Sequence, residues 1–107
     1  MMKNLKIAVL FLVLLSGCSS RHYVEQKTDS LVFSLQFPEA ARVQFSSSID
    51  NFVLHDTVKN SSGLWQLTVP SRSELKYFYI VDRSLYLPEC KLKETDDFGT
   101  ENCIYQP

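Results

Sequence analysis

The chain has 107 residues and a formal net charge of −1, and 45% of its residues are hydrophobic and 21% charged. This length suits one small domain. The near balance of charges and the absence of a basic stripe exclude nucleic acid as an expected partner.

The chain opens with a short basic segment and then an unbroken apolar run. Lys3 and Lys6 precede any acidic residue, and the apolar run covers residues 7–15. A helix needs about 20 apolar residues to cross a bilayer, so this run is too short to span one. It matches the apolar region of a secretory signal peptide, which is removed from the mature protein. We therefore predict a signal peptide over residues 1–17.

The apolar run ends in Leu15-Ser16-Gly17-Cys18, which resembles the lipobox of bacterial lipoproteins. The resemblance implies a diacylglycerol thioether on the Cys18 sulfur, cleavage before Cys18 and acylation of the new amine, with palmitate among the acyl chains. Several acyl chains hold a protein stably on a membrane. We therefore expect a protein of the bacterial cell envelope whose membrane partner is the lipid on Cys18. Ser19 stands where an aspartate would favour the inner membrane, so the outer membrane is favoured if the organism is Gram-negative.

A polar segment follows Cys18, and after this segment apolar and polar residues alternate along the chain. Residues 18–30 are polar and predict a lipidated tether. From Leu31 onward apolar residues alternate with polar ones, which predicts a strand with Leu31, Phe33 and Leu35 on one face. Further strands are predicted near residues 41–46, 52–58, 65–69, 75–81, 85–87 and 100–106, with an acidic loop over residues 91–99.

The strand predicted over residues 75–81 has apolar residues on both faces. Tyr77 and Tyr79 fall on one face and Phe78 and Ile80 on the other, so this strand is expected at the centre of a sheet. No segment shows a helical period, and turn signals such as the one ending at Gly63 separate the strands. About seven short strands of this kind predict an all-β fold, an immunoglobulin-like β-sandwich over residues 31–107.

Cys90 and Cys103 remain once Cys18 is lipidated. Small exported domains are often stabilised by disulfides, and two cysteines allow a single intramolecular pairing. A zinc site is the competing interpretation, but it lacks further ligands, because His22 and His55 are distant in sequence. The sequence therefore predicts a Cys90–Cys103 disulfide.

Four segments carry a family resemblance, and they read FPEAARV at residues 37–43, SSIDNF at 47–52, GLW at 63–65 and YFYIVD at 77–82. Together they resemble the glycogen-binding domain of AMP-activated protein kinase β subunits, a family 48 carbohydrate-binding module, and the related early-set modules of branching enzymes and isoamylases. The resemblance implies an early-set sandwich and an α-glucan ligand.

The resemblance also places individual sugar contacts on this chain. The loop tryptophan of the family falls on Phe52, its glucan-inserting leucine on Phe98 and its hydroxyl-binding asparagine on Asn102. The strand lysine of the family falls near Phe78, whose side chain cannot donate a hydrogen bond. Its second tryptophan falls near Leu85, whose side chain offers no flat ring for a sugar. A weak carbohydrate site at Phe52, Phe98 and Asn102 is therefore implied.

Side chains suited to other chemistry are few. His55 and Asp56 are adjacent on a predicted strand, so they point to opposite faces and cannot form a catalytic dyad. Carboxylates of the acidic loop could bind calcium, but we interpret this loop as a solvated one. Trp65 is in line with Leu67 and Val69 and is expected in the core rather than on a sugar. We therefore expect no enzyme, no resident metal and no cofactor.

Two functions remain open at this point. One is a membrane-anchored, non-catalytic domain that resembles a carbohydrate-binding module and binds an α-glucan weakly. The other is an early-set domain that has lost sugar binding and acts as a protein-interaction or structural module, with another envelope protein as its partner.

Overall fold

The computed structural model describes residues 21–70 and 73–107. Ten strands lie in this part of the chain: β1 (Arg21–Gln26), β2 (Leu31–Gln36), β3 (Val43–Ser47), β4 (His55–Asp56), β5 (Val58–Lys59), β6 (Leu64–Val69), β7 (Leu75–Val81), β8 (Ser84–Tyr86), β9 (Leu92–Thr95) and β10 (Glu101–Tyr105). The predicted signal peptide over residues 1–17 and the predicted lipidation site at Cys18 lie outside the described residues. Within those residues, no helix is long and apolar enough to cross a membrane.

The strands form two antiparallel sheets. The first sheet has the order β1-β2-β6-β5, and the second has the order β4-β3-β7-β10-β9, with β8 also paired to β7. The fold is the predicted all-β sandwich. As predicted, β7 is central, because it pairs with β3 on one side and with β8 and β10 on the other.

Aromatic residues from both sheets fill the space between them. Phe33 of β2 lies 4.7 Å from Phe45 of β3 and 4.9 Å from Tyr77 of β7, measured between ring centroids. Tyr79 is fully buried beside Phe45, at 5.3 Å. Tilted and edge-to-face contacts of this kind add to the stabilisation that burial of the ring surfaces provides. Trp65 is also buried, as predicted, and its Nε1 donates a hydrogen bond to the Phe37 carbonyl oxygen over 2.9 Å.

Part of the predicted tether is a strand. Residues 21–26 form β1, which pairs with β2 along its whole length, so the tether prediction is wrong for these residues. The physical reason is His22, whose ring packs on Tyr77 at 5.6 Å and whose Nε2 makes a 2.9 Å hydrogen bond with the Tyr79 hydroxyl. Val24, on the same face, also packs against the core.

The strand predicted over residues 52–58 is divided between the sheets. β4 pairs with β3 in one sheet, and β5 pairs with β6 in the other. The crossing residue is the buried Thr57, whose backbone N–H and Oγ1 both donate to the carbonyl oxygen of Val43. Because the chain passes from one sheet to the other here, a continuous strand cannot form.

The predicted acidic loop also contains a strand. Residues 92–95 form β9, which extends the second sheet beside β10. The loop prediction over residues 91–99 is therefore wrong for this part, because cross-strand pairing overrides the polar composition.

Two tight turns contain residues with positive φ. At the turn before β6, Gly63 has a positive φ of 82°, and the Asn60 Oδ1 accepts hydrogen bonds from the N–H groups of Ser62 and Leu64. Between β7 and β8, Asp82 and Arg83 both have positive φ, which matches the two-residue hairpin turn that suits twisted strands. The Asp82 carboxylate also accepts the N–H groups of Ala41 and Arg42.

The predicted disulfide is present. Cys90 and Cys103 are bonded, with their Cα atoms 5.9 Å apart. Cys103 is fully buried in β10, while Cys90 follows the end of β8. β8 and β10 pair with successive parts of β7, so the disulfide joins two segments that lie in line along the same strand.

We expect the disulfide to make a large contribution to stability. It closes a loop of 13 residues, for which chain entropy predicts about 3 kcal/mol. The Cys90→Ala/Cys103→Ala variant should lose about this free energy of unfolding, measured by urea denaturation under non-reducing conditions. The wild-type protein in excess reductant is the control and should approach the variant. Equal stability of all three samples would contradict this expectation.

The buried His22 should make stability depend on pH. Burial lowers its pKa from 6.5 to about 4, so the unfolded chain binds this proton first as the pH falls. The contribution of neutral His22 to the free energy of unfolding is therefore fully present above pH 6.5. It is lost as the pH falls from 6.5 to 4, and the loss amounts to about 3 kcal/mol at most.

The His22→Gln variant tests this pH dependence, because an amide can still bond to the Tyr79 hydroxyl but does not titrate in this range. Urea denaturation at several pH values should show a smaller loss of stability on acidification than in the wild type. An unchanged slope in His22→Gln would refute the assignment.

Candidate functional site

A row of side chains crosses the outer face of the second sheet. The alternation of β7 points Tyr77 and Tyr79 into the core and Lys76 and Phe78 away from it. Ser46 of β3 lies opposite Phe78. On the other side Cys103 lies opposite Tyr77, so the preceding residue of β10, Asn102, comes level with Phe78.

Asn102 in turn lies opposite Glu94 of β9. The row therefore runs across four neighbouring strands from Ser46 to Glu94. It brings together residues that are far apart in the sequence, and its order depends only on the register of the strands.

Phe52 covers part of this row. Its ring is stacked on that of Phe78, with centroids 6.0 Å apart and an angle of 13° between the planes. The turn Ser48–Asp50 carries the chain back over the sheet, and Asn51 and Phe52 both have positive φ. The backbone N–H of Phe52 donates to the Ser47 carbonyl oxygen, which holds the reversal in place.

A shallow pocket lies beside the stacked rings, with a volume of about 180 Å³. Its lining combines two aromatic rings with polar and charged groups, namely Phe52, Phe78, Lys76, Glu94, Asp96, Thr100 and Asn102. We call it the outer-face pocket. Asn102 is 4% exposed, while Phe52 keeps 39% of its surface exposed.

Lys76 and Glu94 form an ion pair within the outer-face pocket. The Lys76 Nζ lies 2.7 Å from the Glu94 Oε1. This hydrogen bond, followed by the charge attraction to Glu94, raises the pKa of Lys76. The backbone N–H of Lys76 also donates to the Ser48 Oγ, which ties the Phe52 turn to β7.

The loop between β9 and β10 supplies the remaining wall. The Asp96 Oδ1 accepts hydrogen bonds from the N–H groups of Phe98 and Thr100, each over 2.9 Å. Gly99 completes the turn with a φ of 83°. Phe98 lies at the outside of this turn, where it is 94% exposed and does not line the pocket.

The structure thus brings together two of the three predicted sugar contacts. Phe52 and Asn102 line the same pocket, while Phe98, although close to Asn102 in the chain, is exposed and does not line it. Sequence reasoning missed Lys76 and Glu94 and did not count Phe78 as a contact. The alternation of residues 75–81 places Lys76 and Phe78 on one face, so the sequence contained a signal for these two residues. It contained no signal for Glu94, because the pairing of β9 with β10 cannot be read from a local pattern.

Two further clefts lie at the open sides of the sandwich. One has a volume of about 560 Å³ and is lined by β1, β7, β10 and the chain around Cys90. The other, of about 370 Å³, is lined by β3, β6 and the segment that carries His55. Neither contains Phe52, Phe98 or Asn102.

The titratable groups near His55 are paired in separate contacts. The His55 ring contacts the Asp50 carboxylate, and Asp56 forms a two-point ion pair with Arg42, the shorter distance being 2.7 Å. His55 and Asp56 therefore do not form a dyad, as the sequence predicts. In the part of the chain that the structure describes, no group of three His, Cys, Asp or Glu residues could hold a metal ion.

Comparisons with known proteins support the fold. No protein-family model matches the chain, and no curated protein matches it by sequence. Among solved structures, the fold is similar to that of a family 56 carbohydrate-binding module, described as a β-1,3-glucan binding domain. The TM-score is 0.51 at 10% identity, over 64% of this chain and 90% of that one. At this identity the likeness shows that the two share a β-sandwich architecture.

Proposed function

We propose that this protein is a non-catalytic, carbohydrate-binding-module-like lipoprotein of the bacterial envelope, with a weak sugar site in the outer-face pocket. The observation that carries the proposal is the meeting of an exposed aromatic ring and a buried amide in that pocket. Phe52 is 39% exposed and Asn102 only 4% exposed, and both line it.

The aromatic part of the pocket suits the apolar face of a pyranose ring. Such a face packs on an aromatic plane, while the hydroxyl groups at its edge need fixed polar partners. Phe78 supports the Phe52 ring from one side at 6.0 Å, so that ring is held in one orientation. A ring that is already held loses little conformational freedom when a sugar binds.

The polar part of the pocket suits the hydroxyl groups. The Asn102 amide offers both a donor and an acceptor, and its burial among the strands fixes its position. The Lys76–Glu94 ion pair offers a donor and an acceptor 2.7 Å apart. A sugar hydroxyl can accept a hydrogen bond from the Lys76 ammonium group and donate one to the Glu94 carboxylate. Adjacent hydroxyl groups of a sugar therefore find complementary partners here.

The size of the pocket indicates weak binding. Its volume of about 180 Å³ suits one sugar ring. Phe52 also offers a smaller stacking surface than the tryptophan that the glycogen-binding domains have at this position. We expect dissociation constants of about 1 mM or weaker for a heptasaccharide, because small contact areas leave little free energy after the cost of association. The resemblance of the sequence suggests an α-glucan, and the solved structure of similar fold is named as a β-1,3-glucan binder. Both glucans therefore belong in the test.

Protein interaction is the second candidate, and one observation favours it. Val53 and Leu54, which follow Phe52, are 52% and 48% exposed. Adjacent exposed apolar residues of this kind are common at protein interfaces. In this alternative the same surface binds another envelope protein and no sugar.

Membrane attachment through Cys18 has a structural consequence. β1 begins at Arg21, three residues after Cys18. A chain spans at most about 3.5 Å per residue, so the start of β1 would lie within about 10 Å of the lipidated residue. The lipid would therefore hold the domain close to the membrane surface, with little freedom to turn away.

Sugar binding can be tested by NMR titration of the 19–107 fragment with maltoheptaose and with a β-1,3-linked glucose heptasaccharide. We expect shifts at Phe52, Phe78 and Asn102 with at least one of them. Phe52→Ala should weaken binding roughly fivefold or more, because it removes the stacking surface. Phe98→Ala is the matched control, and it should bind nearly as well as the wild type, because Phe98 does not line the pocket. If neither sugar shifts these signals at high concentration, the interaction-module alternative is favoured instead.

Lipid attachment can be tested in a bacterial host. Cys18→Ser removes the sulfur that would carry the diacylglycerol, so we expect an unprocessed or mislocalised chain without acyl groups by mass spectrometry and fractionation. Cys90→Ser/Cys103→Ser keeps Cys18 and should still be acylated. A Cys18→Ser protein that is processed and membrane-bound like the wild type would rule out the lipobox assignment.

A further inference from the structure

The outer-face pocket contains more negative than positive charge. Lys76, Glu94 and Asp96 are the charged residues among those that line it. Lys76 is engaged by Glu94 over 2.7 Å, so these two charges largely offset one another. Asp96 is left as the uncompensated charge of the pocket.

The two oxygens of Asp96 have different surroundings. Oδ1 accepts the N–H groups of Phe98 and Thr100, which fixes the carboxylate in the loop. Oδ2 takes part in none of the hydrogen bonds found among residues 21–70 and 73–107. A carboxylate that is positioned through one oxygen and open at the other is suited to receive a positively charged donor.

Asn102 supplies an independent indication that a polar ligand group enters this pocket. Asn102 is only 4% exposed, yet it lines the pocket next to Phe78. A neutral amide at this depth can orient a ligand without changing the charge balance, so the charge preference of the site depends on Asp96.

Building on the proposed sugar site, we propose that the outer-face pocket prefers sugars that carry an ammonium group, bound at the Asp96 carboxylate, over neutral sugars, and that it disfavours acidic sugars. The ring of such an amino sugar packs on Phe52, and its ammonium group donates to the Asp96 Oδ2. A uronate at the same place would set its carboxylate against Asp96 and Glu94.

The preference can be measured with oligosaccharides that differ in one group. A β-1,4-linked glucosamine tetramer and a β-1,4-linked glucose tetramer differ in the amine or hydroxyl at carbon 2, and an oligouronate of the same length supplies the negative ligand. At low salt and pH 6 we expect the glucosamine tetramer to bind about fourfold more tightly than the glucose tetramer, and the uronate to bind more weakly than both. Added salt should reduce these differences.

Two variants with the same change in net charge locate the effect. Asp96→Asn keeps the Oδ1 that accepts the two N–H groups, so the loop is expected to hold, and it removes the charge. It should abolish the preference for glucosamine, so that the glucosamine and glucose tetramers bind this variant with equal affinity. Asp97→Asn changes the neighbouring exposed residue, which does not line the pocket, and should retain the preference.

The outcomes separate this inference from the proposed function. Glucose and glucosamine tetramers that bind the wild type equally, or a preference that survives in Asp96→Asn, would overturn the inference while sugar binding stands. An equal loss of preference in Asp97→Asn would also overturn it, because the effect would then be one of net charge. Binding of no sugar at all would remove the proposed function and the inference together.

Discussion

The fold depends on one buried hydroxyl group. Tyr79 lies at the centre of the sandwich with no exposed surface, and burial raises its pKa well above the ordinary value. A buried hydroxyl without a hydrogen-bond partner costs about 1–3 kcal/mol, and its partner here is the His22 ring at 2.9 Å. This requirement brings β1 onto the edge of the first sheet and closes the core over Tyr77. Burial in this place also keeps His22 neutral above its lowered pKa of about 4, because a charged imidazole would lose its solvation here.

The same strand carries the core and the candidate site. Since side chains alternate along β7, the residues that fill the core and those that line the outer-face pocket are neighbours in sequence and lie on opposite faces. Tyr77 and Tyr79 fix the inward face, and this leaves Lys76 and Phe78 on the outward face. The position of Phe78 therefore follows from the packing of the tyrosines, and Phe52 can stack at 6.0 Å only because that position is fixed.

Much of this could be predicted from alternation, and the exceptions have identifiable causes. The strands around Phe33 and Tyr79 were predicted because large apolar residues recur at every second position. β1 was missed because its inward residues are a histidine and a single valine among polar neighbours, a pattern that also suits a tether. β9 was missed because its stability derives from pairing with β10 rather than from its own side chains. Phe52 and Asn102 came from the family resemblance, whereas the role of Glu94 depends on a register between β9 and β10 that no local pattern encodes.

The disulfide and the site are connected through β10. Cys103 and Asn102 are consecutive, so when one points into the core the other points to the outer face. A slip of one residue would exchange them, but the bond to Cys90 holds Cys103 inside. A covalent link on the buried face thus helps to determine which residue of β10 lines the outer-face pocket, although the link itself lies on the other side of the sheet. Reduction would remove this covalent constraint on the register of β10, and with it one of the constraints on the position of Asn102 in the outer-face pocket.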